Sequence, residues 1–232
     1  MDELQRTEIF EAQTQNVRGL ERAWHQINRQ INSSIIQNNN GATEALTKVL
    51  TVVYCALAEA LFSKLIHTPK CLSLAYVDQI KNTTTAKGVK AGWIKCAELA
   101  IQNVEGAKTN HEHNTLKKLH ELIEKFIHDP SLIRNKLAHG QWQIALNRDN
   151  TAINISITQE IKDHTVVELY RRKHALEKLS AIIEDIIESP NKAHRRDYWI
   201  HLIELETTQQ EMSLWTFEGK VAQLRKKKSL AP

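Results

Sequence analysis

The chain has 232 residues, 41% of them hydrophobic, with only 7 glycines and 4 prolines. It can bury a sizeable core, but is too poor in turn residues for an all-β sandwich and contains neither GxGxxG nor GxxxxGK[ST]. A net charge of +4, from 31 basic and 27 acidic residues, neither demands nor excludes a nucleic-acid partner.

The polar, acidic opening MDELQRTEIFEAQ predicts no signal peptide. Residues 2–38 then read as one long helix, ending in the Asn-rich break Gln37–Gly41. Thr43 opens a second helix to about His67, apolar on nearly every face, as expected of an element surrounded by others. Its most apolar run, Val49–Phe62, contains Glu59 and is shorter than the ~20 residues of a membrane span. Glu59 is the one charge there that needs a partner. Cys55, Cys71 and Cys96 are scattered and form no CxxC pair, so they read as reduced core thiols. Together these features predict a cytoplasmic protein with no membrane partner.

After Thr68-Pro69 comes a short amphipathic piece, Leu72–Ile80, and then the polar, basic bridge KNTTTAKGVK. A third helix is expected over Val89–Asn103 and a fourth over Asn110–His128, where Leu116, Leu119, Leu122, Ile123, Phe126 and Ile127 fall at helical spacing. Asp129-Pro130 reads as a restart, with Asp at the N-cap and Pro in the first turn. Gly140 closes the short helix Ser131–His139. Trp142–Leu146 and Ala152–Ile157, the second arm alternating at period two, predict a β-hairpin around Asn147–Asn150. Two further helices are expected, at about Thr165–Glu188 and Lys192–Arg225, before a frayed tail RKKKSLAP. The expected architecture is one all-α domain over residues 1–232, a helical bundle carrying one β-hairpin.

The segment SLIRNKLAHGQW, Ser131–Trp142, is where chemistry gathers. Arg134 is a permanent cation with a fork of phosphate donors. Asn135 is a neutral amide, and His139 can take or give a proton near pH 7. Such a set can cleave RNA without metal: a base deprotonates the ribose 2′-hydroxyl, which attacks the adjacent phosphorus while Arg stabilises the added negative charge. Asn135 and His139, four apart, share a helix face. Arg134 and His139, five apart, diverge by about 140°. One copy therefore does not converge on one phosphate and supplies only one histidine. A twofold dimer repairs both defects.

RNKLAH resembles the RxxxxH motif of the HEPN superfamily, the higher-eukaryote and prokaryote nucleotide-binding domains. A polar residue after the Arg is typical of its ribonuclease branch, and Asn135 fits. The resemblance implies an α-helical bundle, usually dimeric, with a composite metal-independent RNase site at the dimer interface. It also implies a role as a toxin or in antiviral defence, with RNA as substrate and a possible cognate antitoxin or inhibitor. The HEPN-like core would cover about residues 41–190, with the first and last helices as additions. The motif itself covers only Arg134–His139 and its flanks. With 11 Arg and 11 His, roughly one or two chance matches to Arg-x(4–6)-His are expected. Arg18…His25, Arg195…His201 and Arg196…His201 also match. Asn135, the Leu-Ala-His-Gly ending and the short capped helix single out Arg134–His139. Where some members carry a tyrosine two residues after the His, this chain has Gln141, which weakens the case for a nucleotidyltransferase partner.

The catalytic set expected is thus Arg134, Asn135 and His139, with Lys136, Lys87, Lys90 and Lys95 as RNA contacts. Lys81, Lys87, Lys90 and Lys95 flank Trp93 in a stretch without acids, a pattern that can hold a phosphate backbone and stack a base. Trp93 also reads as core. His120 and Glu124 are spaced for a metal, but no third ligand is identifiable, so His113, His120, Glu124 and His128 read as a solvated face. No metal and no cofactor are expected. The competing reading is a non-catalytic HEPN-like module that binds RNA or protein.

Overall fold

The computed structural model describes residues 1–105 and 110–229. Among them the secondary structure is helical, with no strand. Helix α1, Glu3–Ile36, opens on a capping box in which Asp2 and Gln5 exchange side-chain and backbone hydrogen bonds, satisfying two amides the helix cannot. It lies along α2, Asn40–Ile66. That helix starts ahead of Thr43 because Asn39 caps it, its side chain accepting from the Ala42 amide. Leu50, Tyr54, Leu57, Phe62 and Leu65 of α2 are buried. By length and composition α2 could cross a membrane, and 56% of its apolar window is buried within the protein.

Arg6 ties the start of α1 to the turn after α2. It is 1% exposed, and its guanidinium donates to the carbonyls of Leu72 at 2.6 Å, His67 at 3.4 Å, and Thr68. A buried cation is tolerable when its donors are used in this way.

The basic bridge is helix rather than linker. α3 runs from Leu74 to Lys87, with Thr83 and Thr84 hydroxyls turned back onto the carbonyls of Gln79 and Ile80. Only Gly88, at φ +86°, interrupts it, a conformation that costs glycine nothing. α4, Val89–Ile101, follows. Its Trp93 is buried and stacks on Phe62, centroids 5.0 Å apart, so it is a core residue and not a surface base platform.

α5, Asn110–Ile123, a π-helical turn at Glu124–His128, and α6, Asp129–Ala138, form one unbroken rod. Asp129 is therefore not an N-cap: its φ and ψ are −56° and −47°, and its amide reaches back to Glu124. The π-turn is how the helix accommodates Pro130, which has no N–H and would clash with the carbonyl four residues back. That carbonyl, on Phe126, is met instead by the buried Tyr54 hydroxyl, which donates to it at 2.6 Å. Tyr54→Phe should cost about 1–3 kcal/mol by removing this donor from a buried acceptor. Urea unfolding of the two proteins measures it, and equal midpoints and slopes would refute the assignment.

The expected β-hairpin is absent. One isolated antiparallel bridge, Leu146 to Ile153, is all that pairs. The second arm becomes α7, Ile155–Asp163, because Asn154 caps it, its side chain accepting from the Ile157 amide. Ile157 and the buried Ile161 then face Ile133, Leu137 and Ala145 in a small core under the loop. α8, Val166–Glu188, starts at its Thr165 cap and fills the centre with Leu169, Leu176, Leu179, Ile183 and Ile186.

The C-terminal helix, expected to run unbroken over 192–225, is two helices: α9, Ala193–Ser213, and α10, Phe217–Ser229. The Thr216 hydroxyl accepts from the Gly219 amide at the new start. The chain then folds back so that Phe217, Val221 and Leu224 lie on the main core. Of the tail expected to fray, Arg225–Ser229 belongs to α10, and residues 230–232 lie outside the described residues.

Candidate active site

Helix α6 packs on α2 and carries the Arg–Asn–His motif. Its end is a Schellman turn: the Gln141 amide donates to the Lys136 carbonyl at 2.9 Å and the Gly140 amide to Leu137 at 3.1 Å. Gly140 takes the left-handed conformation this turn requires, φ +77°. His139 is the C-cap, its amide bound to the carbonyls of Asn135 and Lys136. Its ring is exposed and makes no hydrogen bond among the described residues. Asn135 is exposed one turn before it.

Two cavities open beside this helix, and the motif divides between them. A 350 Å³ cleft between α2, α4 and α6 is lined by Arg134, Asn135, His128, Lys87, Lys90 and Glu59, among others. A second, of 870 Å³, lies under the loop after α6 and is lined by His139, Asn135, Lys136, Gln141 and Arg148, among others. Arg134 and His139 thus face different spaces, as their angular separation requires, and Asn135 lies on both.

The charges of the two cavities differ. In the smaller, Arg134 is ion-paired with Glu59, which answers the question of what partners that charge. Lys90 is paired with Glu124, and the hydrogen bond from Lys90 holds the Glu124 carboxyl below the usual carboxylate range. His128 lies 3.8 Å from the same carboxylate. Burial pushes the Cys55 thiol up to about 12 despite the nearby Arg134, so Cys55 is no nucleophile at neutral pH. Among the described residues, no Asp or Glu lines the larger cavity.

Of the residues expected to contact RNA, Lys87 and Lys90 reach the cleft of Arg134. Lys95 does not line it and sits 3.5 Å from Glu98. Lys136 is engaged inside the fold: its ammonium donates to the Leu146 carbonyl at 2.6 Å and anchors the loop. That tether removes it from the list of free RNA contacts. The alternative pair is arranged otherwise, with Arg196 bound to the adjacent Asp197 and His201 3.3 Å from Asp185. Among the described residues no group of three His, Cys, Asp or Glu could hold a metal ion.

Glu59 and Arg148 were not singled out for the site from the sequence. Glu59 is 75 positions from Arg134, a separation no local pattern reports. Arg148 falls within the turn of the predicted hairpin, where it carries no sign of a site. No protein-family model, curated protein sequence or solved structure matches the chain.

Proposed function

We propose that the chain is an endoribonuclease of the HEPN type, cleaving RNA without a metal ion at a site completed by a second copy of itself. His139 removes the 2′-hydroxyl proton. The 2′-oxygen bonds to phosphorus, the P–O5′ bond breaks, and the leaving 5′-oxygen takes a proton from the second copy's histidine. The products are a 2′,3′-cyclic phosphate and a 5′-hydroxyl. Arg134, with Lys87 and Lys90, offsets phosphate charge. The biological setting proposed is cytoplasmic growth arrest or antiviral defence, under a cognate antitoxin or inhibitor.

The observation that carries this reading is an exposed histidine at the end of a rigidly capped helix, which among the described residues makes no side-chain hydrogen bond and shares with Asn135 a cavity that no carboxylate lines. A histidine needed for packing would be buried and hydrogen-bonded. The dimer is supported by apolar side chains left in solvent on and after α6: Leu132 at 37%, Trp142 at 37%, Ile144 at 50%, Ile153 at 57% and Ile155 at 79%. Solvent-exposed apolar residues grouped on a segment mark an interaction surface; a second such group, Trp199, Ile200, Ile203, Leu214 and Trp215, lies on and after α9.

The test is incubation of the purified protein with mixed-sequence RNA in EDTA. Cleavage leaving 2′,3′-cyclic ends is expected, and activity abolished by EDTA and restored by magnesium would overturn the mechanism. In the same preparation sedimentation should show a dimer at micromolar concentration. An Ile153→Asp, Ile155→Asp double variant should be monomeric and inactive, and a wild-type monomer that still cleaves would refute the composite site. The pairing of Arg134 with Glu59 favours a second reading, a non-catalytic RNA- or protein-binding module. RNA binding with no cleavage would establish it.

A further inference from the structure

We propose that Arg148 is the cation that holds the RNA phosphate against His139 in its own protomer, an inference that rests on the ribonuclease reading above. The motif suggests Arg134 for this task, but Arg134 opens on the other cavity and is already paired with Glu59. Arg148 lines the same 870 Å³ cavity as His139 and Asn135. It is exposed and makes no ion pair or hydrogen bond among the described residues, so its guanidinium is open to a ligand.

The loop that carries it is built to present it. Asn147 closes a tight turn around Arg148: its side-chain oxygen accepts from the amides of Thr151 at 2.8 Å and Ala152 at 3.3 Å. Its own amide donates to the Ala152 carbonyl at 2.8 Å, and its side-chain amide to the Thr151 hydroxyl at 2.9 Å. Asn150 takes a left-handed φ of +55° within the turn, which Asn tolerates better than most residues. The residue before this turn, Leu146, is fixed once to the catalytic helix and once to the turn that ends it. Its carbonyl takes Lys136, and its amide donates to the Gln141 side chain at 2.8 Å. Arg148 therefore stands on a braced turn beside the motif, so less of its freedom is lost on binding.

The cavity's chemistry fits a phosphodiester. Arg148 and His139 line it with amides, and no carboxylate does among the described residues. An arginine fork gives two donors to two phosphate oxygens. Asn135 adds an amide donor from the same helix face as His139. With the phosphate held there, the ribose 2′-hydroxyl lies within reach of His139, while Arg134 and Lys87 engage the neighbouring stretch of backbone.

The experiment compares wild type, Arg148→Ala, Arg148→Lys and Arg134→Ala in two readouts. The first is binding of a 2′-O-methyl RNA 20-mer that cannot be cleaved, with its salt dependence. The second is the shift of the His139 ring proton resonances on addition of inorganic phosphate. Arg148→Ala should bind the oligomer about tenfold more weakly, with a salt slope lower by about 0.7, the loss of one phosphate contact on a single strand. It should also abolish the phosphate-induced His139 shift with thermal unfolding unchanged. Arg148→Lys should restore the slope but only part of the affinity. Arg134→Ala should leave the His139 shift intact. If phosphate moves the His139 resonances equally in wild type and Arg148→Ala, or in neither, the proposal is overturned. If the Arg148-dependent shift is present but wild type cleaves no RNA under any condition, the anion site stands and the ribonuclease reading fails.

Discussion

His139→Ala is expected to lower single-turnover RNA cleavage by about 10²–10⁴, the usual contribution of a general acid or base, while leaving RNA affinity almost unchanged. The ring is exposed and bonds to nothing among the described residues, so its removal should not disturb the fold. Arg134→Ala should weaken both cleavage and binding, because it removes a charge-assisted phosphate contact. It also frees Glu59, 45% exposed at its side chain, as an unpaired anion in the cleft. The double variant Arg134→Ala, Glu59→Gln separates the two effects and should recover part of the binding but not the rate. Arg134→Lys should recover binding better than rate, and Asn135→Ala should fall between. Arg196→Ala and His201→Ala should cleave like wild type. The set is read by single-turnover cleavage beside equilibrium binding, with thermal unfolding as the control for collapse. Wild-type cleavage by His139→Ala together with a dead His201→Ala would show that the other Arg–His pair does the chemistry.

Stability should fall steeply below neutral pH, because histidines are folded into the interior uncharged. His194 is fully buried, and burial, then His111 and Arg195, lower it from the ordinary 6.5 to about 4. His164 is lowered to about 3 by burial and by Arg172, and burial lowers His67 as well. The unfolded chain protonates these rings near 6.5, while the folded chain holds them neutral. Their contribution is therefore complete above about pH 7 and drains away as pH falls from 6.5 toward 4. At about 1.4 kcal/mol per unit, His194 alone carries about 3 kcal/mol, a large part of a typical 5–15 kcal/mol. Burial raises the carboxyls of Asp185 and Glu188, which opposes this trend only in the carboxylate range. Urea unfolding at pH 7.5, 6 and 5 should show the decline, and His194→Phe should make it shallower without abolishing it. Stability constant over that range would rule the account out.

The helices were legible where the apolar period and a cap coincide. Thr165 opens α8 and Gly140 ends α6 as their residue types dictate. Failures came where two local patterns share residues. Ile153, Ile155 and Ile157 alternate as in a strand, yet Asn154 is also a helix cap, and Ile157 with Ile161 has helical spacing. The cap prevailed because Ile161 has a core to enter, beside Ile133 and Leu137. The break after Ser213 was hidden because Thr216 as a cap is ordinary in sequence, and only the surface of α1 and α8 makes folding back favourable. At the site, spacing predicted the divergence of Arg134 from His139. It said nothing of Glu59 or Arg148, whose positions depend on which helix lies beside α6 and how the next loop is pinned. Asn147 with Thr151 in NRDNT was the available signal, since an Asx-type turn was encoded there.

The π-turn at Glu124–His128 has a consequence for the phase of everything after it. A helical rod is a screw, and one extra residue in a turn advances the thread by about 100° and 1.5 Å. Deleting a single residue from the turn would leave α5 in its seat and rotate α6 about its own axis. Leu137 and Ile133 would leave the small core, Arg134 would swing away from Glu59, and Asn135 would face another neighbour. The bearing of the motif is thus set upstream of it, by a register offset whose hinge pin is the bond from Tyr54 to Phe126. Two chains sharing the same Arg–Asn–His letters but differing by one residue here would aim them at different walls.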